Sequence, residues 1–382
     1  DASYITTRTE TDNANRATTY TFNSSSRLTG IRRPGASSNN VTVAYGTDNR
    51  VSAITSEGVT WQYSWAFTSS SMTATITNPD SSQEVVVTDI NKNVVTSFKN
   101  GLNQTTTYTY DANGRLLTAT MPEGGQVQYT YDGRGNVTQV ARVAKPGSGL
   151  ANSVTTASFA TSCLNAVTCN KPTWTKDAAG NQTDYTYDST HGGLLSTTMP
   201  ADSAGVRPQT RYSYTPFQAY YKNSGGSIVA SGVSQYMLTG VSTCLSGTTC
   251  AGTAQESKTT IAYGSQTAGI PNNLLPSSVT RSSGDNAVTA TIASTYDSVG
   301  NVLTNDGPLP GSADTTRFRY DVARQRIGVV GPDPDGGGPR LPLAQRITYN
   351  ADGQVTQTEI GSVSDQSDSA WSAFTSLQQA TT

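Results

Sequence analysis

The sequence predicts an all-β protein, an array of antiparallel β-hairpins running in series, and three observations carry that reading. The first is a repeat: Tyr-Asp-x-x-Gly followed by Arg, Asn or Gln and then Leu or Val recurs as YDANGRL from Tyr110, YDGRGNV from Tyr131, YDSVGNV from Tyr296 and, with Asn for Asp, YNADGQV from Tyr349. Self-similarity of this kind marks units that bury their apolar faces only by stacking on neighbours. The second is alternation with period two, in Val127-Gln128-Tyr129-Thr130-Tyr131, Tyr108-Thr109-Tyr110, Tyr185-Thr186-Tyr187, Tyr212-Ser213-Tyr214 and Phe318-Arg319-Tyr320. These are half-buried strands, with Thr suited to a solvated pleated face. The third is an apolar residue six places after each aromatic: Leu116 after Tyr110, Val137 after Tyr131, Val302 after Tyr296, Val355 after Tyr349 and Leu28 after Phe22.

The turns follow from the repeat. In Asp111-Ala112-Asn113-Gly114 an Asx residue opens the turn and a glycine closes it in the left-handed region, as in a three-residue hairpin loop with a G1 bulge. That geometry sets Asp111 opposite Arg115 and Tyr110 opposite Leu116. Gly135, Gly300 and Gly353 hold the same place, and each hairpin gains an aromatic-aliphatic cross-strand pair worth about 0.2–1 kcal/mol beyond burial. Two copies depart from the pattern. After Tyr187-Asp188 the turn reads Ser189-Thr190-His191-Gly192-Gly193, and after Tyr320-Asp321 the glycine position is Arg324, so the register there is open. Helical spacing is nearly absent; the tail around Trp371, Phe374 and Leu377 is the one weak helical candidate.

The copies at Tyr110, Tyr131, Tyr187, Tyr296, Tyr320 and Tyr349, with degenerate ones at Phe22, Asp48, Asp89 and Asp177, resemble the Rhs or YD-repeat family over nearly the whole chain. That family includes bacterial polymorphic toxins, the C components of insecticidal toxin complexes and teneurin ectodomains. The resemblance implies a continuous β-sheet that spirals into a hollow shell, in the toxins around a C-terminal cargo. It also implies an autoproteolytic aspartic core near the shell's end in toxin members, for which this sequence has no matching motif. We read residues 1–382 as one YD-repeat array from a longer chain. It divides into N-terminal repeats (1–143), repeats with long loops and both cysteine pairs (144–290), C-terminal repeats (291–361) and a tail (362–382).

Composition agrees. Apolar residues at 34% with 35 glycines suffice for folding, while charged residues at 14% and a net charge of −2 leave no electrostatic footprint for nucleic acid or an anionic membrane. No apolar run approaches the roughly 20 residues of a membrane helix, and the chain opens at Asp1 without an apolar leader. Tyrosine outnumbers phenylalanine, 19 to 7, as expected where a ring packs and its hydroxyl reaches water.

Cys163 and Cys169, like Cys244 and Cys250, flank five residues, with Leu after the first Cys and Thr before the second. Matched devices of this kind predict two local disulfides pinning long loops in an oxidising compartment, each contributing roughly 2–3 kcal/mol by chain entropy. Free buried thiols and a zinc site using all four thiolates are the alternatives; the latter lacks the usual spacing and any supporting histidine.

Catalytic readings find little support. The sole histidine, His191, lies in a glycine loop and reads as a solvated turn residue. Asp111, Asp132, Asp188, Asp297 and Asp321 recur at turn starts, where carboxylates bond the backbone two residues on. Gly133-Arg134-Gly135 lacks the helix a phosphate cradle requires. The run Gly331-Pro332-Asp333-Pro334-Asp335-Gly336-Gly337-Gly338-Pro339 reads as a solvated spacer, with Ca²⁺ binding the sharper alternative. Loops at Lys145–Gly149 and Lys222–Ser227 are where a repeat array carries binding. Asn-x-Ser/Thr triplets at Asn23, Asn40, Asn103, Asn136 and Asn181 matter only if the source glycosylates.

These readings predict a non-enzymatic structural section of a secreted or surface shell, with no cofactor or metal. Its partners are flanking repeats or cargo of the same polypeptide. The alternative is an adhesive surface for cell-surface glycan or protein, with exposed tyrosine and tryptophan rings, Trp61, Trp65, Trp174 and Trp371 among them, stacking on ligand. A filament formed by self-assembly is a further structural variant.

Overall fold

The computed structural model describes residues 6–244, 246–247 and 249–381. Among them 28 strands join one antiparallel sheet built from hairpins, and one short helix stands apart. Two compact units are distinguished: Asp1–Thr161 with Trp174–Asn181, and Ser162–Thr173 with Gln182–Thr382.

The first unit repeats one hairpin geometry. Phe22 pairs with Leu28, Tyr45 with Val51, Tyr110 with Leu116 and Tyr131 with Val137, and in each case the register shifts just before the aromatic. That shift is the bulge the turn demands, with Gly114 and Gly135 at φ 77° and 91°. Ser26 and Asn49 take the same left-handed place in the turns that lack glycine at that position. Buried apolar side chains here are small, Ala74, Ala119 and Ala141.

The second unit continues the rule. Tyr296 pairs with Val302, Tyr349 with Val355 and Tyr320 with Arg326, so the register left open at Arg324 is the ordinary one, with Arg324 itself at φ 65°. The longer turn after Tyr187 moves its partner one residue on, to Leu194. Gln209–Lys222 and Ile228–Cys244 form the longest hairpin, closed by Asn223 accepting from the Ser227 N–H at 3.0 Å. The buried apolar cluster of this unit is Val330, Ala344, Val363 and Ala370, covered by Trp371 and Phe374. The tail is only partly helical: Asp368–Ser372 makes one turn, capped by Ser367, whereas Leu377 lies in the exposed strand Thr375–Thr381 paired with Val355–Ser362. The helical spacing of Trp371, Phe374 and Leu377 does not survive, because pairing to the sheet satisfies more backbone groups than a second helical turn would.

Candidate functional site

The repeat motif is the site that recurs, and its parts hold one another. Asp111 Oδ1 accepts from the backbone N–H groups of Asn113 and Arg115 at 2.8 and 2.9 Å, and its Oδ2 accepts from Arg115 Nε at 2.6 Å. Asp132 does the same with Arg134 and Asn136, and Asp297 with Val299 and Asn301. Asp321 accepts from the Gln325 N–H at 2.8 Å. Asn350 occupies the place in the Tyr349 copy and accepts from Asp352 and Gln354. The Arg115 backbone N–H holds the Asp111 carboxyl below its ordinary range, and the Asn136 side-chain amide does so for Asp132. Asp111 and Asp132 are thus held as acceptors of their turns, a role opposite to that of a general acid.

The motif tyrosines do something the sequence reading missed. Their hydroxyls donate to carbonyls of the preceding hairpin: Tyr45 to Leu28, Tyr110 to Val95, Tyr131 to Leu116 and Tyr187 to Pro172, at 2.6–3.1 Å. Tyr296 and Tyr349 reach Pro276 and Arg326 in the same way. The expectation that these hydroxyls meet water is thereby corrected. Burial pushes the Tyr110, Tyr131 and Tyr187 phenols up from their ordinary value, as befits donors held against the sheet. Arginines at the turn exits add to the stitch, Arg115 lying 4.9 Å from the Tyr131 ring centre and Arg27 5.7 Å from that of Tyr45. Successive repeats are thus joined by a tyrosine hydrogen bond besides the sheet ladder, and at Tyr45 and Tyr131 by a cation–π contact as well.

Both cysteine pairs form local disulfides, Cys163–Cys169 with Cα atoms 4.9 Å apart and Cys244–Cys250 with 5.5 Å. This leaves no thiols for the free-thiol or zinc alternatives. Leu245, which follows the second pair's first Cys, lies outside the described residues, as does Asp1. The two loops differ in setting. Cys244 and Cys250 are both buried, whereas Cys163 is exposed and only Cys169 is covered. Beside the second pair, the buried Glu256 accepts from Ser242 Oγ and the Gly252 N–H, and the Ser242 bond is the largest cause holding its carboxyl below the ordinary range.

The first disulfide loop docks on the long turn after Tyr187. Asn165 donates to the Ser189 carbonyl at 2.8 Å and Lys171 to that of Gly192. His191 lies in this contact with 14% of its side chain exposed, stacked on Tyr236 at 4.2 Å and tilted against Tyr214 at 4.9 Å. It is therefore not the solvated turn residue its sequence setting predicts. Its Nδ1 accepts from the Gly193 N–H at 3.1 Å, and its Nε2 lies 3.4 Å from Asp188 Oδ1. Both nitrogens are engaged in orienting the loop, and Gly193 is glycine because a Cβ there would meet the His191 and Tyr214 rings.

The remaining loops organise themselves. Asp333 accepts from the N–H groups of Asp335, Gly336 and Gly337, and Asp335 from that of Arg340. The Asp335 backbone N–H is the chief reason the Asp333 carboxyl lies below its ordinary range. Among the described residues no three His, Cys, Asp or Glu side chains are placed to hold a metal. Arg134 crosses a cleft of about 390 Å³ between its own turn and Ala157–Thr161, donating to the carbonyls of Ala160 and Thr161. Tryptophans expected to be exposed are half-buried: Trp61, Trp65, Trp174 and Trp371, with Trp65 Nε1 donating to the Val51 carbonyl at 2.9 Å. Among the described residues no helix is long and apolar enough to cross a membrane.

Among curated proteins none is similar enough to match the chain. Among solved structures, the TcdB2-TccC3-Cdc42 crystal structure is similar at 12% identity with a TM-score of 0.49, over 92% of this chain and 19% of that one. The Photorhabdus luminescens Tc holotoxin pore is similar at 14% identity with a TM-score of 0.32, over 93% and 23%. The chain thus spans about a fifth of the length of those proteins. The Teneurin YD-shell family model matches residues 3–369, and with the hairpin ladder and its stitched tyrosines in place the chain belongs to that family.

Proposed function

We propose that this chain is a length of wall: a section of a secreted or cell-surface YD-repeat shell that encloses or presents another polypeptide and has no chemistry of its own. The observation that carries the reading is the repeat itself, in which motif aspartates close the turns and motif tyrosines bond carbonyls of the preceding hairpin. Chemistry-bearing side chains meanwhile are occupied in holding turns. Two local disulfides support an oxidising compartment. The half-buried tryptophans do not favour the glycan-binding alternative.

The test uses the whole parent polypeptide. A segment enclosed by the wall should withstand proteinase K under conditions that digest the same segment expressed alone. It should become cleavable once denaturant opens the sheet. Equal digestion of the two forms in native buffer would overturn enclosure.

A further inference from the structure

The connection Val363–Phe374 is longer than its job requires. The strands on either side are already paired at Ser362 and Thr375, so a two-residue turn would join them. The chain instead lays this segment over the neighbouring strands Thr316–Tyr320, Arg326–Val330 and Leu343–Tyr349.

The surface beneath it is built to receive it. Gly328 leaves a hole in the middle of a strand, and a Cβ there would lie 2.5 Å from the Trp371 ring. Arg319, 9% exposed, sits 5.2 Å from the centre of that ring and donates to the carbonyls of Gln366 and Ser367 at 2.8 and 2.7 Å and to Asp368 at 3.0 Å. Gln366 in turn donates to the carbonyls of Thr315 and Gly331 at 2.6 and 2.8 Å. Phe374 lies 4.6 Å from Arg346, which Glu359 holds by two bonds at 2.6 and 2.9 Å. Val330 is wholly covered as a result. An aromatic in a fitted hole, backbone carbonyls read by a buried guanidinium and a side-chain amide satisfied by sheet carbonyls are the contacts of peptide recognition.

We propose that the face formed by Arg319, Gly328 and Val330 is a peptide-binding site, occupied in cis by the chain's own acidic, tryptophan-bearing strap Val363–Phe374. Its ligand class is a short polypeptide segment with an aromatic anchor and an acidic residue at the first turn of a capped helix. The site is independent of whether the sheet encloses cargo.

The experiment separates site from strap in the full chain. Val363–Phe374 is replaced by Asn-Gly, and a fluorescent peptide of residues 363–374 is titrated against this variant and against the parent. The shortened chain binds the peptide saturably and the parent, already filled, does not; the Trp371→Ala peptide binds roughly tenfold more weakly. A folded shortened chain that ignores the peptide, or a parent that binds it equally well, overturns the proposal. Should the shortened chain fail to fold, Gly328→Ala in the intact chain decides. Displacing the ring exposes the Trp371–Ser372 bond, and chymotrypsin cuts there many times faster than in the parent. An unchanged rate of cutting at that bond overturns the proposal.

Discussion

At the scale of single residues, the molecule shows which parts of a repeat motif are conformational and which are adhesive. The glycine of the motif is conformational, and Arg324 demonstrates its worth by doing without it. Holding φ 65°, Arg324 endures the crowding of Cβ against its carbonyl that a glycine escapes. Arg324→Gly should therefore stabilise the second unit by roughly 0.5–1 kcal/mol, the relief of strain less the added freedom of the unfolded chain. Denaturant midpoints measure it. A loss of stability would show that the Arg324 side chain, exposed at the turn, contributes more than its backbone costs. Turn chemistry was legible in the sequence because Asp111 and its partners lie within four residues of one another. The Tyr110 hydroxyl was not, because its acceptor at Val95 is fixed by how one hairpin registers on the next. Nothing within the motif encodes that register. Once it is known, the abundance of Tyr over Phe has a cause: phenylalanine fills the same space, as Phe22 does, without joining the repeats.

Whole elements were read with unequal success for the same reason. Strands and hairpins declared themselves through local alternation, and the two cysteine loops through their matched spacing, yet the loops serve unlike settings. Cys244–Cys250 is enclosed, whereas Cys163 lies at the surface beside Leu164, 94% exposed. Thiolate attack needs access to a sulfur, so graded reductant should open Cys163–Cys169 well before Cys244–Cys250. Alkylation of freed thiols and peptide mapping read the order directly; simultaneous opening, or Cys244 first, would contradict the difference in burial. Asn165 within the first loop donates to the Ser189 carbonyl, so opening that loop should loosen the turn around His191. The strap over Gly328 lay beyond sequence reading altogether. In isolation that glycine looks like a weakness in a strand, and Trp371 like the apolar face of a short helix. Each explains the other only after the sheet brings them together.

For the molecule as a whole, stability is distributed rather than centred. The first unit buries chiefly alanines on its sheet, and the second gathers Val330, Ala344, Val363 and Ala370 under Trp371 and Phe374. Elsewhere the motif hairpins are held by their ladders and by tyrosine hydroxyls, with an arginine on the ring at Tyr45 and Tyr131, all of them contacts between neighbours. Such a chain approximates a row of units with nearest-neighbour coupling, in which opening can begin at a weak link and stop at a strong one. A single hydrophobic core would instead make every strand wait on every other. The two architectures differ in a measurable way. If the coupling is between neighbours, the calorimetric enthalpy of unfolding exceeds the van't Hoff enthalpy, because the cooperative unit is smaller than the chain. Amide exchange then grades along the sequence, slowest in Arg326–Val330 and Leu343–Tyr349 beneath the strap and faster in the exposed strand Thr7–Thr11. Equal enthalpies with uniform exchange would mean that the hairpins are coupled over distances their contacts do not span. The stitching between repeats would then be incidental to how the sheet holds together.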